Sequence, residues 1–291
     1  MTCVQRPACH SNGIDMSAVR RQVRLFRADA PLIHNCSQTG PMQFDSLTRI
    51  PRNVKDAIDW LLALKGTDPE KNLKALGAAV HTFLADKPVG NLNLPALKNA
   101  RIFFRDLMTQ KALEGLWPAN VMLERFNTPM DKSVHFKFFG TVDESDYENV
   151  VQARGVKPEE IAKDLGKVVD GCEKFLEKIK NPNKYVPTYS SEATWDASCA
   201  KDPEACAVIF VGIAPMLYTG LRSLRKVSHG ESFKWVPFAK KNLGEVLKAL
   251  GYKEPERRPN MSGSYVFKAL ENVKFQMLVT LYDLSGFWAF Y

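Results

Sequence analysis

From residue 53 onward the apolar positions recur mostly at intervals of three and four, the period of a helix with one buried face. Asn53 is placed to cap the first such stretch, Asp56 follows, Ile58, Leu61, Leu62 and Leu64 supply the apolar side, and Gly66 stops it. Thr67-x-x-Glu70 reads as a capping box, since a Thr hydroxyl and a Glu carboxylate can satisfy two orphan amides of a first turn. Leu73, Leu76, Val80 and Phe83 then share one face, so the two segments predict an αα-hairpin turning at Gly66.

Pro95 opens a third helix carrying Leu97, Phe104, Leu107 and Leu113 before Gly115, and Pro118 opens a shorter one through Val121, Met122 and Phe126. Phe136, Phe138 and Phe139 suggest a short extended piece, and Asp143 to Ala153 another helix ended by Gly155. The most regular pattern is Pro158 to Lys180. There Ile161, Leu165, Val168, Cys172, Phe175 and Ile179 follow steps of four, three, four, three and four. Glu159 and Glu160 at its start, with Lys174, Lys178 and Lys180 at its end, complement the helix dipole. Cys172 on this stripe reads as a buried structural thiol.

Residues 181–190, interrupted by Pro182 and Pro187, predict a long surface connection that can divide two lobes, 46–180 and 191–291. Asp202 and Pro203 then open a helix whose apolar run, Ala205 to Leu221, is seventeen residues long. A membrane span needs roughly twenty such residues. With Gly212, Pro215 and Gly220 inside the run, we read a central core helix bent at Pro215 and no transmembrane span. Lys240 to Leu250 predicts a short helix, and a final one runs from about Ser264 through Phe267, Leu270, Val273, Met277, Leu281 and Leu284. The closing run Phe287-Trp288-Ala289-Phe290-Tyr291 is unusually aromatic for a chain end. It either docks into the core or marks the chain as a piece of something longer.

Before these helices lies a tail, placed at residues 1–45, in which Arg6, Arg20, Arg21, Arg24 and Arg27 face only Asp15 and Asp29 within the first thirty residues. It lacks the apolar run of a secretory signal peptide and is expected to be mostly disordered. Met16, Val19, Val23 and Phe26 permit a short basic amphipathic helix, hence peripheral membrane contact, although a frayed basic tail is the simpler reading. The formal charge of the whole chain is +8, and the tail's excess of arginines leaves the remaining body nearer balance. At 45% hydrophobic and 25% charged residues, the composition is that of an ordinary globular protein.

Candidate chemistry is sparse. There is no Rossmann or Walker glycine pattern and no Gly-x-Ser-x-Gly elbow, and the five histidines include no i, i+4 pair. No cofactor is expected. Cys3, Cys9, His10, His34 and Cys36 lack metal-ligand spacing, and Asp143, Glu144, Asp146 and Glu148 read as a solvated helix start. We expect no enzyme activity. Cys199 and Cys206 are near enough in sequence to bridge, with a pair of free thiols the equal alternative. Sequons at Asn35 and Asn260 are no more than chance supplies. Lys240, Lys241, Lys248, Lys253, Arg257 and Arg258, with Tyr252 among them, form a basic patch that suits an acidic partner or nucleic acid. A solvated face is the preferred reading, and nucleic acid is not the expected partner.

Two segments carry a family resemblance. Residues 53–66, Asn-Val-Lys-Asp-Ala-Ile-Asp-Trp-Leu-Leu-Ala-Leu-Lys-Gly, resemble the opening of the variant erythrocyte surface antigen type of multigene family in piroplasm (Babesia-like) blood parasites. Cys206 through Met216-Leu-Tyr-Thr-Gly-Leu-Arg-Ser-Leu224 resembles helical repeats of large piroplasm-specific families. Together they cover about thirty residues. The resemblance implies export or display at the host erythrocyte, antigenic variation and, in some members, adhesion. The chain departs from that pattern in having six cysteines and neither signal peptide nor evident C-terminal anchor. A soluble relative, a truncated copy or a non-displayed branch is therefore implied as well. The expectation is an all-α bundle of antiparallel helical hairpins behind a basic tail. It would act as a non-enzymatic, antigen-like interaction protein with a protein partner, or as an intracellular helical binding module for an acidic partner or nucleic acid.

Overall fold

The computed structural model describes residues 43–90, 92–127, 148–232 and 243–291. The arginine-rich tail, the Phe136–Phe139 run and all tail cysteines and histidines lie outside them. Asn53 caps α1 (Val54–Lys65), its side chain accepting the Asp56 amide at 2.9 Å, and Gly66 closes the helix at φ 53°, a region that favours glycine. The next helix, α2 (Pro69–Ala85), starts differently from the Thr67 capping box. Asp68 is the cap, accepting the Lys71 amide at 3.2 Å. Pro69 lacks an N–H and is suited to the first helical position, which leaves the residue before it to cap.

Pro95–Leu97 forms a 3-10 turn leading into α3 (Lys98–Met108), which ends before Leu113; Leu113 is buried in the turns that follow. Then come α4 (Ala119–Asn127) and, among the described residues of the segment expected to be helical from Asp143, only α5 (Val150–Ala153). Asn149 caps α5 and donates to the Leu84 and Lys87 carbonyls, fastening it to the end of α2. In α6 (Pro158–Ile179) all six stripe residues are buried, as the periodicity requires. The helix lies against α2 at close range: a Cβ added to Gly77 would come within 2.8 Å of Ala162.

After α7 (Trp195–Ser198) comes α8 (Pro203–Ser232), which runs unbroken through Pro215. It touches α1, α2, α3 and α4, and also α9 (Leu243–Ala249), α10 (Gly263–Ala269) and α11 (Phe275–Asp283). By length and composition Pro203–Gly230 is apolar enough to cross a membrane, yet 89% of its apolar window is buried inside the body, which is where a core helix places it. The expected single C-terminal helix is divided. A 3-10 turn at Leu270–Asn272 and an extended Lys274 (ψ 156°) separate α10 from α11, where the Asn272 carbonyl approaches Gly171 of α6. A short α12 (Phe287–Phe290) ends the chain.

The aromatic terminus docks. Phe287, Trp288, Phe290 and Tyr291 are buried, and the Trp288 and Ala289 carbonyls accept the amides of Gly90 and Leu92 at 3.0 and 2.7 Å. Phe290 stacks on Phe83 of α2 and Phe287 on Tyr291.

Residues 181–190 do not run between two lobes. Pro41–Tyr291 form one compact unit, and helices from both sides of the connection pack on one another. Phe44 pairs with this segment through the Thr188 carbonyl and the Ser190 amide, both at 2.8 Å, so residues 43–45 belong to the body rather than to the tail. Beneath it lies a buried polar cluster. Lys55 donates to Asp59 at 3.2 Å and to the Val186 carbonyl at 2.8 Å, while Asp59 accepts the Tyr185 hydroxyl and the Thr188 amide. These bonds satisfy charges that would otherwise be expensive to bury. The fold is all-α, and among the described residues the extended pairings are two isolated bridges, Phe44 with Tyr189 and Lys180 with Arg257.

Candidate functional site

Lys240 and Lys241 of the sequence-predicted basic patch lie outside the described residues. The other four members come together. Lys248 is exposed on α9, Lys253 precedes the 3-10 turn Glu254–Glu256, and Arg257 and Arg258 follow it. They border two adjoining grooves of about 580 and 520 Å³ that share Gly244, Glu254 and Arg257.

What holds this face is long-range pairing with the end of α6. The Arg258 amide donates to the Ile179 carbonyl and the Asn181 amide to the Glu256 carbonyl, both at 2.8 Å. That pairing brings in Lys184, which the sequence reading placed in a surface connection and did not connect with the patch. Only the abundance of turn residues around Asn181 hinted at a chain reversal there. Glu256 turns inward to Lys55 at 3.5 Å, so one carboxylate that lies within the patch in sequence is drawn away from it. Arg257 reaches Glu254 at 3.4 Å. The grooves are thus lined by five cations, Lys184, Lys248, Lys253, Arg257 and Arg258, against the carboxylates of Glu245 and Glu254.

Tyr252 does not join them. It is buried, edge-on to Phe175, and its hydroxyl has no partner among the described residues. Burial, then the nearby carboxylates, push its hydroxyl well above the usual tyrosine range. The patch therefore loses the aromatic that sequence placed within it, and with it a platform for stacking bases.

The second sequence-predicted feature is a pair. Cys199, at the end of α7, and Cys206, in the first turn of α8, are joined by a disulfide with their Cα atoms 5.8 Å apart. Asp202 sits in the closed loop and caps α8, accepting the Ala205 amide at 3.1 Å. Both sulfurs are buried beside the core helix. Cys172 is buried without a bridge, and burial pushes its thiol up to about 12, far from the range in which a thiolate attacks.

No family model matches this chain, and no curated protein or solved structure matches it. Among the described residues, no group of three or more His, Cys, Asp or Glu is arranged to hold a metal ion. Of the acidic group at 143–148 only Glu148 is described, and it is exposed. Asn260 of the second sequon is exposed in a left-handed turn at φ 54°, and Ser262 is engaged as the cap of α10. What the site offers is a cationic, grooved surface on the helical body.

Proposed function

We propose that this chain is a non-enzymatic interaction protein that works through its helical surface in an oxidising compartment. This is the role its resemblance to piroplasm surface-antigen families implies. The observation that carries the reading is the Cys199–Cys206 bridge. Disulfides persist outside the reducing cytosol, and a bridge here links the start of the central helix to the preceding turn. Localising a tagged copy in infected host cells tests the reading, with signal expected outside the parasite cytosol and nucleus. Alkylating the isolated protein before and after denaturation provides the second arm. At most four of its six cysteines should react. Six reactive thiols together with a cytosolic signal would defeat the proposal.

A second reading is favoured by the joined basic grooves: an intracellular module for an acidic partner. Lys253→Glu with Arg258→Glu would abolish capture of such a partner and leave the fold intact, since both side chains are exposed.

A further inference from the structure

On the opposite half of the central helix from the disulfide, cations lie over aromatic rings. The Arg222 guanidinium is 4.2 Å from the Trp117 ring centre, 5.4 Å from Tyr218 and 5.5 Å from Phe275, and it donates to the Tyr218 hydroxyl at 2.9 Å. One turn further along α8, the Lys226 ammonium is 5.7 Å from Trp117. Lys274 adjoins Phe275, whose side chain is 63% exposed, the highest value among the exposed large apolar residues described. The face is assembled from the turn before α4, the second half of α8 and the start of α11. The acids nearest to it in sequence are Glu114 and Glu271.

Arg222 and Lys226 stand over Trp117, so that ring is not open for a base to stack on, which disfavours single-stranded nucleic acid. Left outward are the exposed Phe275 ring and the charges of Lys226 and Lys274, beside the half-buried Arg222. That combination fits a phase offering anions and hydrocarbon side by side, which is the headgroup boundary of an anionic bilayer. We propose that this face docks the protein peripherally on anionic lipid membranes, with Phe275 entering the interface and Arg222, Lys226 and Lys274 meeting the headgroups. The proposal does not depend on the compartment inferred above, and it places membrane contact on the body instead of the basic tail.

The test is co-sedimentation of the full chain with vesicles of phosphatidylcholine alone and of phosphatidylcholine mixed with phosphatidylserine. Binding is expected only to the mixed vesicles. Each cation near such a surface is worth about fivefold, so Lys226→Gln with Lys274→Gln should weaken binding about twenty-five-fold. Phe275→Ser should weaken it roughly tenfold, and that loss should persist in salt because apolar burial is not screened. The altered side chains are exposed, so unchanged thermal unfolding is the control for the fold. Lys71→Gln, at the exposed Lys71–Asp196 pair near the disulfide, should leave binding within about twofold. Wild-type binding in the Phe275 and Lys226/Lys274 variants would assign attachment to the tail or the grooves and overturn the proposal. So would a lack of binding to either vesicle, or a single-stranded oligonucleotide whose binding the same variants abolish.

Discussion

Asp59 shows how much a single side chain depends on its surroundings. It is buried, yet it accepts from Lys55, the Tyr185 hydroxyl and the Thr188 amide, and so ties α1 to a segment more than a hundred residues away. Removing one partner of a buried ion pair leaves the other uncompensated. Asp59→Ala is therefore expected to cost about 3 kcal/mol in urea unfolding, well above the effect at the exposed Lys71–Asp196 pair. Four tyrosines, Tyr185, Tyr189, Tyr252 and Tyr291, have hydroxyls raised above their usual range, in each case first by burial. Since the native state holds these protons more tightly than the unfolded chain, their contribution to stability is intact below about pH 10 and falls as pH rises past it. Each should cost about 1.4 kcal/mol per pH unit there. Phenolate absorbance followed together with circular dichroism will check this: these tyrosines should ionise only as the helices melt.

At the scale of elements, the contact between α2 and α6 rests on the missing side chain of Gly77. Alanine is the better helix former by about 1 kcal/mol, whereas overpacking costs about 1–3 kcal/mol. At Gly77 an added Cβ meets the Ala162 backbone at 2.8 Å, and backbone cannot swing aside. Gly77→Ala should therefore destabilise by about 1–2 kcal/mol. Gly166, on α6, is the useful contrast: an added Cβ there would meet only a Leu73 methyl at 3.7 Å, ordinary contact, so Gly166→Ala should stabilise by up to about 1 kcal/mol. Thermal unfolding of both variants should give shifts of opposite sign. Sequence alone treats the two glycines alike, because helix propensity is local while the space beside a helix is not.

For the whole molecule, the Cys199–Cys206 bridge closes a short loop at the entry to the central helix. Chain-entropy reasoning for a loop of this size gives about 2–3 kcal/mol, so reduction should lower the unfolding midpoint without removing the helices, a difference scanning calorimetry will register. The all-α class, the Asn53 cap and the whole of α6 were legible in the chain because amphipathic spacing and end-capping act within a turn or two of helix. The break before Lys274, the Asp68 cap in place of Thr67 and the burial of Tyr252 were not. The site divided in the same way. Lys248, Lys253, Arg257 and Arg258 were found as neighbours in sequence, whereas Lys184 joins them only through pairing between residues 179–181 and 256–258. The cation–aromatic face, drawn from three separated segments, has no signature in any one window. By itself the sequence determined the helical class, the course of α1 and α6 and the apolar stripe of each, since those follow from local backbone preference and periodic burial. The tertiary structure alone decided which stripes meet, that residues 181–190 lie across the body instead of between lobes, and which charges face one another, because those depend on contacts between residues far apart in the chain.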